Sequence, residues 1–208
     1  MRLQIEGRRN VTICAGCGNT GKSTFALRYL VNAKLAARFV FDPEGEYAQR
    51  LGLASAGDGY ALGLALLRGW IIFDPHPMFT GRMEEAFSFF CDWSFEMASR
   101  LPGPKVLVVD EVWKYCSPQA IPQHLANVCQ TGRKRGLALM VNTQLPHKLN
   151  GSILNEVSEF VAFRLQFTRA LDLVSEYGFE PAQVSALPDL AFIARTDKGG
   201  ELRGAIKV

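Results

Sequence analysis

The 208-residue chain has no long apolar run. Its most apolar stretch, 51–67, is interrupted by Asp58 and four glycines and closed by Arg68. That falls short of the about 20 continuous apolar residues of a membrane helix. The opening stretch MRLQIEGRRN has no apolar signal core. Both absences predict a soluble intracellular protein without direct membrane insertion. Cysteine is scarce and odd in number: Cys14, Cys17, Cys91, Cys116 and Cys129. Scattered through apolar runs, these read as free thiols in a reducing compartment. Cys14 and Cys17 form a C-x-x-C, but no second pair or nearby histidine completes a metal site. They read as small residues in a tight turn. Net charge is also small, +3 from 23 basic and 20 acidic residues. Any polyanion-binding surface must therefore be local. There is no internal repeat, no low-complexity linker and no N-K-x-D element for guanine.

What is present is ordinary for a globular protein: 48% hydrophobic and 21% charged residues. A chain this long buries roughly 70% of its unfolded surface and needs no staples. At about 150 residues per domain, one domain over 1–208 is expected. Strand-length apolar runs at 11–14, 38–42, 70–74, 105–109, 137–143 and 160–167 alternate with helical patterns at 23–35, 82–100 and 119–132. Residues 191–196 and 202–208 flank DKGGE, the turn of a hairpin. Strands alternating with helices predict an α/β fold, a mostly parallel sheet flanked by helices, with an antiparallel hairpin at one edge. The Gly- and Ala-rich stretch 51–69 gives no clear pattern. Helix 82–100 is rich in aromatics, with Phe87, Phe89, Phe90, Trp93 and Phe95 on more than one face. It reads as a helix buried all round, with a neighbouring subunit as the alternative cover.

The strongest chemical signal is Gly16-Cys17-Gly18-Asn19-Thr20-Gly21-Lys22-Ser23, a full G-x-x-x-x-G-K-S followed by Thr24. It stands between a strand and a helix, as its mechanism requires. The glycines let backbone N–H groups curl round a phosphate, and the helix N-terminus adds its dipole. Lys22 then reaches the β- and γ-phosphates, and the Ser23 hydroxyl holds Mg²⁺. The second signal is Lys105-Val-Leu-Val-Val-Asp110-Glu111. A buried strand delivers two carboxylates at its C-terminal end, which in an open α/β sheet faces the ligand crevice. Asp110 suits the surroundings of Mg²⁺, and Glu111 is placed to polarise an attacking water.

Three weaker signals accompany these. Gln144, just beyond strand 137–143, is a candidate to hydrogen-bond a γ-phosphate or water. Gly132-Arg133-Lys134-Arg135-Gly136 reads equally well as cations at a helix C-terminus or as an arginine reaching a neighbouring subunit's nucleotide. Asp42-Pro43-Glu44-Gly45-Glu46-Tyr47 reads as a helix start, with Asp42 as N-cap and Pro43 in the first helical position, the alternative being that its acids face the nucleotide site.

Together, GCGNTGKST, FDPEGEY, KVLVVDE and GRKRG before a strand ending in NTQLP resemble the FtsK/HerA superfamily of P-loop motor ATPases. The match covers about residues 10–150. Within that superfamily the bare size is similar to the genome-packaging ATPases of tailless, internal-membrane viruses of bacteria and archaea. The resemblance implies a RecA/ASCE-like P-loop ATPase, with ATP and Mg²⁺ as its cofactors. It also implies a homo-oligomeric ring, a hexamer, that moves double-stranded DNA through its centre. Gly16 to Thr24 would cradle the nucleotide, Lys22 would hold its phosphates, and Ser23 and Asp110 would serve the metal. Glu111 would be the catalytic base, Gln144 the sensor and Arg133 the trans arginine, with Arg135 as its rival. A capsid vertex or membrane-associated proteins are the implied docking partners, and the host cytoplasm or the virion is the implied location. DNA-tracking candidates are segments 74–82 and 113–122, the latter with Lys114. Competing readings are a cellular HerA-like translocase, a small P-loop kinase and a nucleotide-dependent assembly switch.

Overall fold

The computed structural model describes residues 11–207. The expectations for the opening stretch 1–10, and for the last residue of the terminal strand, lie outside these. Eight strands form one sheet: β1 (Val11–Ala15), β2 (Ala37–Phe41), β3 (Trp70–Phe73), β4 (Lys105–Asp110), β5 (Leu137–Thr143), β6 (Val157–Ala162), β7 (Ala191–Thr196) and β8 (Glu201–Ala205). Their order is β3-β2-β4-β5-β1-β6-β7-β8. The first six in that order run parallel, while β6–β7 and β7–β8 are antiparallel. The expected α/β architecture and its C-terminal hairpin are both present.

The strand sequences explain why both faces are covered. Val106, Leu107, Val108 and Val109 are all buried, so β4 has no solvent side. One set of alternate residues, including Ile13, Phe39, Phe41, Leu107, Val109 and Val141, packs against helices α3 (Gly59–Arg68), α4 (Met83–Arg100), α5 (Gln123–Thr131), α6 (Gly151–Leu154), α7 (Thr168–Glu176) and α8 (Pro181–Ser185). The other set, including Cys14, Val40, Val108 and Met140, packs against α1 (Lys22–Asn32) and α2 (Glu46–Leu51).

Several local expectations are corrected. Stretch 51–69 contains α3, started by Asp58, whose carboxylate accepts the Ala61 N–H at 2.7 Å, and stopped by Gly69 at φ +69°. Helix α4 is amphipathic rather than buried all round. Phe87, Phe90 and Phe95 are buried while Glu84, Glu85 and Glu96 are exposed. Its half-buried aromatics find partners within the chain: Phe89 lies 5.9 Å from Phe73 and Trp93 5.9 Å from Phe39, centroid to centroid. Helix α5 starts at Gln123, four residues later than expected, because Pro122 holds extended backbone immediately before it. Strand β6 lies earlier than 160–167. Beyond Ala162 the chain leaves the ladder and runs beneath the glycine-rich loop, where the Arg164 carbonyl accepts the Cys17 N–H at 2.8 Å.

Candidate functional site

Strand order brings the site together. β5 lies between β1 and β4, so the ends of the three strands converge on one edge of the sheet. The loop after β1, the Asp110–Glu111 pair after β4 and Gln144 after β5 border a single cleft of about 470 Å³. Residues of segment 42–47, after β2, line it together with Arg50, Lys114, Tyr115 and Leu190.

The glycine-rich loop is held from outside and left open toward the cleft. The Gly16 N–H donates to the Thr143 carbonyl at 3.1 Å, and Thr20 Oγ1 donates to the Cys17 carbonyl at 2.8 Å. A Cβ at Gly16 would lie 2.6 Å from Phe163 Cβ and 2.7 Å from Thr20 Oγ1, so only glycine fits. At Gly18 a Cβ would meet nothing within 4 Å, which marks the open side. Asn19 and Gly21 both take left-handed backbone, φ 59° and 112°, which turns successive N–H groups inward. No side chain caps the N-terminus of α1. Its first donors therefore remain available to an anion. Lys22 curls back so that Nζ donates to the Gly16 and Cys17 carbonyls, each at 2.9 Å. Burial pushes its ammonium pKa down, against the pull of Glu111 and Asp110.

Ser23 Oγ donates to Asp110 Oδ2 at 3.0 Å. Burial raises the Asp110 carboxyl to about 6, opposed by hydrogen bonds from Tyr47, Ser23 and Asn142. Glu111 takes the left-handed conformation, φ 48° and ψ 48°, unusual for a residue with a side chain. Its Oε2 accepts the Trp113 indole N–H at 2.6 Å and the Gln144 backbone N–H at 3.0 Å. The carboxylate is therefore anchored beside the cleft, and the Gln144 side chain is exposed at its rim.

Residues 42–47 differ from the sequence expectation. The helix starts at Glu46, not at Pro43, because Gly45 at φ 69° completes a turn first. Asp42 still serves the helix end, accepting the Ala48 N–H at 2.9 Å. Sequence reasoning assigned nothing to Tyr47, Arg50 or Asn142, and placed Trp113 only in a DNA-tracking segment, yet all four are close to the site. Arg50 donates to Thr24 Oγ1 at 2.8 Å and pairs with Glu46. The quoted FDPEGEY and NTQ motifs contained the signal for Tyr47 and Asn142.

One predicted site residue is not brought to the cleft. Arg133 lies in a single 3₁₀ turn before β5, at the opposite end of that strand from Gln144. It is exposed; its carbonyl accepts the Gly136 N–H at 3.1 Å, while its guanidinium makes no ion pair or hydrogen bond among the described residues. Arg135 is engaged within the chain. It donates to the Phe95 carbonyl at 3.0 Å and stacks on the Phe95 ring at 3.7 Å. Of the DNA-tracking candidates, Lys114 is paired with Glu44 at 3.0 Å and His76 with Asp74 at 2.9 Å. Among the described residues no cluster of three or more His, Cys, Asp or Glu side chains can hold a metal, and no helix is long and apolar enough to cross a membrane.

The parallel sheet, the phosphate-type loop between β1 and α1 and the carboxylates at the end of β4 define a P-loop NTPase-like fold. A scan against protein-family models matches none, and a search of curated proteins returns no match. Solved structures do match. The genome-packaging NTPase B204 of Sulfolobus turreted icosahedral virus 2, in complex with AMP, superposes with a TM-score of 0.76 at 16% identity, covering 96% of this chain and 98% of that one. VirB4 of Thermoanaerobacter pseudethanolicus gives 0.67 at 14% identity, covering 96% and 89%. The bacterial conjugative coupling protein TrwBΔN70 gives 0.63 at 12% identity, covering 96% and 85%. These likenesses fit the FtsK/HerA resemblance carried by the motifs. B204 has also been solved with ATPγS and with AMPPCP.

Proposed function

We propose that the chain is a single-domain ATP-hydrolysing motor subunit that moves double-stranded DNA and packages a viral genome into a preformed capsid. The observation that carries this reading is the convergence at one cleft of Lys22, the Ser23–Asp110 pair and the anchored Glu111 carboxylate. The near end-to-end likeness to a packaging NTPase supports the choice of motor.

The residues divide the work as follows. The loop N–H groups from Gly16 to Thr24 take the phosphates, and Lys22 moves from the loop carbonyls onto the β- and γ-phosphates. Ser23 and Asp110 supply hard oxygen donors at the cleft wall, which suits Mg²⁺ shared between one or two protein groups, phosphate and water. Held there, the ion would supply charge neutralisation to the phosphates. Glu111 accepts a proton from the water that attacks the γ-phosphorus as the bond to the β-phosphate oxygen breaks. The Gln144 side chain orients that water or the γ-phosphate. Arg133, remote from its own cleft, serves the nucleotide of the next subunit in a ring, probed below.

The test is steady-state phosphate release from ATP, with and without double-stranded DNA, for wild type and Glu111→Gln. The amide can still accept from Trp113 and Gln144, so geometry survives while basicity is lost. Loss of a positioned base costs about 10²–10⁴-fold in turnover, with ATP still bound. Normal turnover in Glu111→Gln refutes the assigned base. Phosphate appearing on an acceptor rather than in water overturns the hydrolase reading.

A further inference from the structure

Tyr47 and Asn142 have no part in the mechanism above, yet they meet on Asp110. Tyr47 belongs to α2 and Asn142 to β5, so two separate motifs converge on a third. The Tyr47 hydroxyl donates to Asp110 Oδ1 at 2.7 Å. Asn142 Nδ2 donates to that same oxygen and to the Tyr47 hydroxyl oxygen, the latter at 3.1 Å. Asp110 Oδ2, by contrast, accepts from Ser23.

The two carboxylate oxygens are thus made different by their partners. Oδ1 is occupied by two donors from the protein interior, and Oδ2 meets the hydroxyl at the cleft wall. The donors are themselves immobile. Tyr47 is 2% exposed and Asn142 1%. Asn142 is also fixed by two ladders, paired with Asp110 across β4 and with Cys14 across β1. Buried networks of this kind set side-chain orientation, here through donors alone, since Asn142 Oδ1 has no hydrogen-bond partner among the described residues. Partners behind a metal-binding group tune its affinity in the same way.

We infer that Tyr47 and Asn142 are positioning residues that hold Asp110 Oδ1 and so turn Oδ2 toward Ser23 and the divalent cation that accompanies the nucleotide. This rests on the reading of Ser23 and Asp110 given above. It gives the tyrosine of FDPEGEY and the asparagine of NTQ one shared task.

The experiment measures binding of a fluorescent mant-ATP to the full chain, first in EDTA and then in Mg²⁺. The readout is the factor by which Mg²⁺ tightens binding. Wild type tightens. Ser23→Ala, the control for the underlying reading, does not. Tyr47→Phe keeps the ring and its packing; it retains the wild-type Kd in EDTA and loses about 10-fold of the Mg²⁺ tightening. Asn142→Ser behaves in the same direction and provides the measurement if the first variant fails to fold. Full Mg²⁺ tightening in Tyr47→Phe, with tightening lost in Ser23→Ala, overturns the inference and leaves the Ser23 reading standing. Equal weakening in EDTA and Mg²⁺ also overturns it, since that is the signature of packing alone. A wild-type protein indifferent to Mg²⁺ overturns both.

Discussion

Arg133→Ala separates a ring of cooperating subunits from a self-sufficient enzyme. β5 has seven residues, and at about 3.3 Å per residue it holds Arg133 about 20 Å from the cleft at its other end. No side chain spans that distance, so the guanidinium cannot act on its own subunit's nucleotide. An arginine finger supplied in trans contributes about 10³–10⁵ in rate. Arg133→Ala alone is therefore expected to lose at least three orders of magnitude in ATP turnover, while its own cleft stays intact. Lys22→Ala loses turnover for the opposite reason, with its Arg133 intact. In a 1:1 mixture that exchanges subunits, about one quarter of neighbouring pairs unite a sound cleft with a sound arginine. Phosphate release should then recover to about a quarter of the wild-type rate. A mixture as inactive as its components, with exchange verified by mass measurement, refutes the trans assignment. So does an Arg133→Ala protein with wild-type turnover. Arg135→Ala should act differently, lowering stability through the lost contacts with Phe95.

Other expectations follow from single contacts. Gly16→Ala should abolish nucleotide binding by calorimetry, because the added Cβ would lie 2.6 Å from Phe163 Cβ and 2.7 Å from Thr20 Oγ1. Asp110 carries a stability signature. Its carboxyl is raised to about 6 by burial, so the folded state binds more protons than the unfolded one between about pH 4 and 6. The stabilisation from protonated Asp110 is full below about pH 4 and is lost as pH rises through 6. Nucleotide-free Asp110→Asn should thus gain stability over wild type at pH 7.5, by at most about 3 kcal/mol, and gain little at pH 4, as read by thermal denaturation. An equal gain at both pH values contradicts the burial argument. Phe90→Ala should cost about 3–5 kcal/mol in denaturant unfolding, since Phe90 is fully buried and stacked on Phe73 at 5.0 Å.

Much of the site was legible along the chain because its chemistry is local. The run from Gly16 to Thr24 is contiguous, and Gly16 marks backbone that a side chain cannot enter. Asp110 and Glu111 follow a strand whose lack of alternation already declared it buried on both faces. Strand type was equally plain, since apolar runs of this length have few alternatives. Helix α3 was hidden by its glycines and alanines, although Asp58 and Gly69 marked both ends. The shortened β6 was hidden because its last apolar residues serve the underside of the loop rather than the ladder.

Three matters were decided by the tertiary structure alone. Strand order put β5 between β1 and β4, and only that order brings Asn142 against Asp110 and the Gln144 backbone against Glu111. The different surroundings of Arg133 and Arg135 could not be read from spacing, because both lie in the same turn. Packing separates them, since Phe95 occupies one and leaves the other exposed. The asymmetry of Asp110, with one oxygen facing the interior and one facing the cleft, comes from three residues distant in sequence. Local pattern determines which residues can form a strand, a turn or a phosphate loop. Partners across the sheet are chosen by the burial of the whole, and no stretch of sequence contains that sum.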